Sequence, residues 1–346
     1  MAKKVTNKTS SKKILKNSIV KAKKRRSDFL KRRPHRSFRL TRRRDYARSW
    51  NLPGYWSFAN EVRLLLWSNR WLFAKFIALY SIFSFLVIGL LSQDNIELLG
   101  KSVNQLGGNV VAGELSGLVQ NFAIFTGVFS GAFSQSLTES QQVYSGLLFL
   151  IGWLTAVWLL RQILAGHKKI KLRDGLYSSG SPLVSTFLIM MVLMVQLLPF
   201  AIALVAYGAA ESVDIFSDVL FTTMFWIVEL LLVVVSVYWI TSTAVALVVV
   251  TLPGMYPLKS LKASSDLVIG RRLRILYRLA WLLVSVLVLW AIVLLPVILI
   301  NQIDLLSDVP IVPIVVLLLN SATLLWTSSY IYLLYRKLVS DDTKPA

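Results

Sequence analysis

The sequence predicts an all-α fold: a polytopic membrane helix bundle of six transmembrane helices, both termini cytoplasmic, preceded by a disordered basic arm. Three observations carry that expectation. Hydrophobic residues make up 55% of the 346 and gather into long runs. Twenty of the first fifty residues are Lys or Arg, against two acids, Asp28 and Asp45. Beyond them, cations and acids fall in alternate loops between the apolar runs.

The arm, residues 1–50, comes first. Twenty cations less two acids give it +18 of the chain's formal +21, so the charge belongs to one tail. Like charges at that density cannot bury a core, and the arm is expected to be disordered when free. Its partner must be polyanionic. Anionic phospholipid of the adjoining bilayer is one candidate, since each Lys or Arg near such a surface contributes about 1 kcal/mol. Ribosomal or other RNA is the second. Arg25, Arg26, Arg32, Arg33, Arg42, Arg43 and Arg44 can meet phosphates, while Phe29, Phe38, Tyr46 and Trp50 between and beyond them can stack on bases. A plain topology signal needs far fewer charges. The arm is Arg-rich and poor in acids, which keeps a transit peptide open, although the cations from Lys3 to Lys24 are all Lys. A cleavable signal peptide is not expected, because the first apolar run begins some 70 residues in.

Residues 51–70 form an interfacial amphipathic helix. Phe58, Val62, Leu65 and Leu66 share one face, with Asn60, Glu61, Arg63 and Asn69 on another, and Ser57 precedes the run. The transmembrane domain, 71–340, follows. Crossing about 30 Å of hydrocarbon takes roughly 20 apolar residues with every backbone group paired inside the helix. Spans are predicted near 72–92, 144–164, 184–207, 221–250, 276–300 and 311–335, with a cytoplasmic tail at 341–346. The loop 93–143 holds an amphipathic helix over 117–134, on which Leu118, Phe122, Phe125, Phe129 and Phe133 make a single apolar face.

Loop charge sets the orientation. One set of loops carries Lys168, Lys169, Lys171, Arg173, Lys259, Lys262, Arg271, Arg272, Arg274, Arg278, Arg336 and Lys337. The other set has a single cation, Lys101, and nine acids. The positive-inside rule then puts both termini in the cytoplasm.

The third and fifth spans each carry Leu-Leu-Pro near their ends, at Pro199 and Pro296. Each is followed by a matching turn, Asp-Ile-Phe-Ser-Asp-Val from Asp214 and Asp-Leu-Leu-Ser-Asp-Val from Asp304. Spans three-four and five-six therefore read as copies of one hairpin. Asp218 and Asp308 suit helix caps, and with Asp214 and Asp304 they could also form an outer cation site. Both prolines are expected to bend their helices.

A second amphipathic element starts at Pro257, with Leu258, Leu261 and Val268 taken as its apolar face, and ends at Gly270 as a C-cap. Arg271, Arg274 and Arg278 follow at i, i+3 and i+7, a stripe that could grip a lipid headgroup or simply obey the positive-inside rule. From Lys259 to Arg272 the chain reads Lys-Ser-Leu-Lys-Ala-Ser-Ser-Asp-Leu-Val-Ile-Gly-Arg-Arg. This stretch resembles the amphipathic element before a span in poorly characterised bacterial six-helix integral membrane proteins of the glycerophosphodiester phosphodiesterase membrane-domain type. The run Trp67-Ser-Asn-Arg-Trp71 is similar. The resemblance implies shared architecture, and no soluble phosphodiesterase domain is attached.

Little in the body points to chemistry. The chain has no Cys and two His, His35 and His167, neither with a carboxylate at ligand or triad spacing. No catalytic residue, metal site or cofactor motif is expected, and the reading is non-enzymatic. Glu229 is the one acid within a predicted span. An intramembrane carboxylate suggests a transport residue, although sliding of a long helix or a bond to Gln196, Thr241, Ser242, Thr243 or Asn320 would make it structural.

Overall fold

The computed structural model describes residues 53–88, 139–167, 169–212, 219–301 and 311–342. The arm with its seven paired or clustered arginines, the 117–134 stretch, the four turn acids Asp214, Asp218, Asp304 and Asp308, and residues 343–346 lie outside them. The described residues are helical with no strand, and Leu52–Val339 form one compact unit.

Two short helices open the body, α1 (Tyr55–Ser68) and α2 (Arg70–Phe83), and a π-helical turn at Ser84–Ile88 continues the second. Then come α3 (Glu139–Leu164), α4 (Leu172–Ser179), α5 (Leu183–Ser212) and α6 (Val219–Val249). The chain ends with α7 (Pro257–Val268), α8 (Arg272–Asn301) and α9 (Ile311–Asp342). Five helices, α3, α5, α6, α8 and α9, are long and apolar enough to cross a membrane. They match five of the six expected spans. At the first expected span the described chain is α2 and its π-helical extension, and residues 89–92 fall outside the description.

The core gathers on α3 and α9. Trp153, Leu154, Val157 and Leu160 of the one and Leu325, Tyr330, Leu334 and Leu338 of the other are buried in a single cluster. Gly152 of α3 lies where α2, α3 and α9 meet, so close that an added Cβ would stand 2.5 Å from the Tyr80 ring and 2.6 Å from Leu324. Hydrogen bonds tie the helices together at depth. Ser81 and Ser321 hydroxyls meet at 2.7 Å, Trp290 Nε1 donates to Thr323 Oγ1 at 2.8 Å, and Trp326 Nε1 donates to Ser285 Oγ at 3.0 Å. Small and hydroxylated residues at such contacts let apolar helices approach and bond.

Around this centre the exposed positions are themselves apolar. Phe187, Leu188, Met191, Met194 and Leu198 on α5 and Met224, Ile227, Leu231 and Val234 on α6 all face outward. On α7 the expected apolar face is corrected at one position: Val268 is buried and Leu261 packs against Ile189, Ala246 and Val250, but Leu258 is 82% exposed and Ser260 and Ser264 are buried. Both serine hydroxyls donate within the helix, to Pro257 O and Leu261 O, so the small face packs without an unmet polar group. Gly270 follows with φ +78°, the left-handed conformation expected of a helix-ending glycine.

On α1 the expected apolar face holds, with Phe58 and Val62 fully buried and Leu65 and Leu66 packed beside them, although the helix begins at Tyr55, before Ser57. Two further expectations are corrected. α4 is an additional helix, too short to stand out in the sequence; buried Gly175 lets it lie on α3, against Trp158 and Thr155. Pro199 and Pro296 sit inside α5 and α8, which run on to Ser212 and Asn301. Next to the first proline the Phe200 N–H donates to Ser236 Oγ of α6 at 3.1 Å, a cross-helix bond of the kind that lets proline persist in an apolar helix.

Candidate functional site

The described cations concentrate at one set of helix ends: the α3–α4 connection, the α6–α8 connection and the end of α9. Lys337 Nζ of α9 pairs with Glu61 of α1 at 2.8 Å. At the start of α8, the helical twist of about 100° per residue brings Arg271 and Arg278 almost into line and puts Arg274 about 60° to one side. The three do not form one accessible stripe. Arg271 is 1% exposed and Arg278 6% exposed, whereas Arg274 faces outward.

Arg278 is occupied by its own protein. Nη2 donates to Pro53 O at 2.5 Å, and the guanidinium stands 5.3 Å from the Tyr55 ring and 5.4 Å from the Phe58 ring. Phe58 meets Tyr330 edge-on at 4.8 Å. The Tyr330 hydroxyl lies within electrostatic range of Arg278 but outside hydrogen-bond geometry. The cation–π contacts and the carbonyl bond fasten the beginning of the body to α8. Of the three, Arg274 alone is exposed, so the stripe as a whole does not present a surface to a headgroup. Arg272, which sequence reasoning did not single out, is a second clasp. Its guanidinium lies 3.8 Å over the Tyr238 ring, with bonds to Tyr238 O at 2.9 Å and Ser265 Oγ at 3.3 Å.

Glu229 stands on α6, ten residues in from Val219, or about 15 Å at the α-helical rise. It is 9% exposed and makes no hydrogen bond or ion pair with any described residue. The partners suggested by sequence are otherwise engaged or elsewhere. Thr243 donates to Gln196 at 2.5 Å, and Thr241 and Ser242 donate to carbonyls of their own helix. Those bonds fix the register of α5 against α6, and Glu229 falls between the Tyr207–Trp226 ring contact and the Phe200–Ser236 bond.

Two hollows open near the cationic ends. An apolar groove of about 420 Å³ runs between α1, α8 and α9, walled by Trp56, Trp281, Trp326 and Val288, with Asn60 and Arg63 on one side. A smaller cleft of about 280 Å³ lies where the end of α3, the α4–α5 junction and the α6–α7 turn converge. Arg161 and Trp158 come from α3, Ser178, Ser179, Ser181 and Ser185 from the junction, and Thr251 from the turn. That turn is built on Pro253 and Gly254, whose φ of +73° suits the third position of a proline-initiated turn closed by Met255 N–H on Leu252 O at 3.2 Å. Sequence reasoning passed over this cleft. Its signals were an Arg in the last turns of an apolar run and four serines between 178 and 185, unremarkable until the fold joins them.

Among the described residues no three His, Cys, Asp or Glu side chains come together as a metal site. No protein-family model matches the chain, and no curated protein or solved structure matches it either.

Proposed function

We propose that the protein is a non-enzymatic integral membrane protein of the bacterial cytoplasmic-membrane type, six spans with both termini cytoplasmic, whose basic arm binds anionic phospholipid. The observation that carries this reading is the +18 charge of residues 1–50, twenty cations less two acids, joined to a body of long apolar helices. The described part of the body begins at Pro53, which is tied to Arg278 among the cationic helix ends, and this supports an arm that starts where an anionic leaflet surface would lie. Membrane charge of that sign attracts juxtamembrane polybasic segments. The resemblance of Lys259–Arg272 to the six-helix membrane proteins named above supports the architecture and adds no activity.

The test is flotation of the full-length protein and of a residue 1–50 peptide with vesicles of phosphatidylcholine alone or with phosphatidylglycerol. Peptide capture by the anionic vesicles alone supports the reading. Capture of ribosomal RNA in preference to either vesicle would transfer the arm to RNA.

A second reading, a small transporter, is favoured by one observation: Glu229 is buried in a long apolar helix with no described partner. Proton-coupled flux in proteoliposomes that Glu229→Gln abolishes, with folding intact, would establish it.

A further inference from the structure

We infer that the cleft between α3, the α4–α5 junction and the α6–α7 turn is a binding site for a phosphate group, with Arg161 supplying the charge and Ser178, Ser181 and Ser185 the hydrogen bonds. This site is separate from the arm and goes beyond the arm's attraction to membrane charge.

The lining carries the argument. Arg161 is the one ionisable group among the lining residues, and none of them is a carboxylate. Arg161 is partly buried, and its side chain makes no hydrogen bond or ion pair with a described residue. Tyr332 and Tyr335 lie within its electrostatic range, but they are phenols and supply no counter-charge. A partly buried cation with no carboxylate in its cleft favours an anion, and the guanidinium fork matches two phosphate oxygens.

The hydroxyls divide in the same sense. Ser179 donates to Leu176 O at 2.6 Å and Thr251 to Val248 O at 2.7 Å, so their protons are used. Ser178, Ser181 and Ser185 donate to no described residue and keep theirs for a ligand. Oxyanion oxygens accept from such donors, and the Arg161 charge in the same cleft is what favours an anion over a cation at these hydroxyls. Leu154, Trp158, Val250, Leu252 and Met255 complete an apolar wall. At about 280 Å³ the cleft has room for a phosphate with a small alcohol. The ligand class is therefore a phosphate monoester or the headgroup of a phospholipid. Lys169 and Lys171, between α3 and α4, add to the attraction for either, whereas Arg173 stands 3.9 Å from Asp174.

Full-length protein is studied in two settings: in detergent with inorganic phosphate or chloride at equal ionic strength, by thermal unfolding and calorimetry, and in nanodiscs of phosphatidylcholine with or without phosphatidylglycerol. Phosphate should stabilise the wild type beyond chloride. Arg161→Gln should weaken binding about tenfold or more, since a charge-assisted hydrogen bond contributes that much. A Ser178→Ala/Ser185→Ala pair, at partly exposed positions, should weaken it several-fold and decides the matter if Arg161→Gln does not fold. Stabilisation by phosphatidylglycerol discs alone, lost in Arg161→Gln, identifies the headgroup as the source; stabilisation by free phosphate identifies a soluble ligand. No stabilisation by either probe, or unchanged binding in Arg161→Gln, overturns the site.

Discussion

At Gly152 a single hydrogen atom sets the distance between three helices. The contacts at 2.5 and 2.6 Å that a methyl group would make fall on the Tyr80 ring and on Leu324, both buried in the core. On an exposed helix Gly→Ala gains up to about 1 kcal/mol of helix propensity. Here overpacking dominates, and Gly152→Ala should destabilise by about 1–3 kcal/mol in a denaturant titration of the purified protein. Unchanged stability would mean that α2 and α9 do not close on α3 as described. One turn along, Thr155 presents the opposite case: its Oγ1 is buried without a hydrogen-bond partner among the described residues. An unmet hydroxyl costs about 1–3 kcal/mol, so Thr155→Val, which keeps the shape, should raise the unfolding midpoint. Neither effect is visible in the sequence, where both residues sit in a uniformly apolar run.

Among elements, the α5–α6 hairpin shows how apolar helices with only a small buried seam stay in register. Most of α5 is exposed, and its attachment rests on Ile189 packed with Ala246 and Val250 and on two side-chain bonds, Phe200 N–H to Ser236 and Thr243 to Gln196. Interhelical hydrogen bonds in such settings contribute about 0.6 kcal/mol on average and up to about 1.7. Ser236→Ala and Thr243→Val should each cost that amount, and the two should come close to adding because the sites are about two turns apart. A double-mutant cycle in unfolding free energy reads this directly; a null double variant would show that packing alone aligns the pair. The same scale explains α7: Leu261 and Val268 pack inward as a core face should, but Leu258 is exposed while Ser260 and Ser264 are buried, because a helix with apolar surroundings can turn small hydroxylated residues inward.

For the whole molecule the charge asymmetry generates two expectations. With both termini cytoplasmic, a tag before Ala2 or after Ala346 should resist labelling in intact cells, and one near Gly108 should accept it. External labelling at either terminus overturns the orientation. Binding of the arm to polyanions should fall by orders of magnitude between roughly 50 and 200 mM salt for about 6–10 phosphate contacts, as condensed counterions are released. Changing Arg42, Arg43 and Arg44 to Gln should weaken binding and flatten that salt slope while membrane insertion persists. Salt-independent binding would remove the electrostatic account.

Hydropathy and charge are sums over residues, and what they govern was readable without coordinates. The existence and approximate bounds of five long helices, the amphipathic helix after the arm, the helix opened by Pro257 and stopped at Gly270, and the concentration of charge in residues 1–50 all follow from such sums. Contacts between distant segments are not sums of that kind, and these the tertiary structure alone decided. Arg271, Arg274 and Arg278 are chemically alike and evenly spaced, yet two are buried and one is not, because Pro53, Tyr55 and Phe58 fold back on α8. Arg161 and three serines 17 to 24 residues further on acquire a shared cleft only because α4 lies down on α3 and the α6–α7 turn closes the far side. Burial is set by what arrives from elsewhere in the chain, and a one-dimensional pattern carries no record of that arrival.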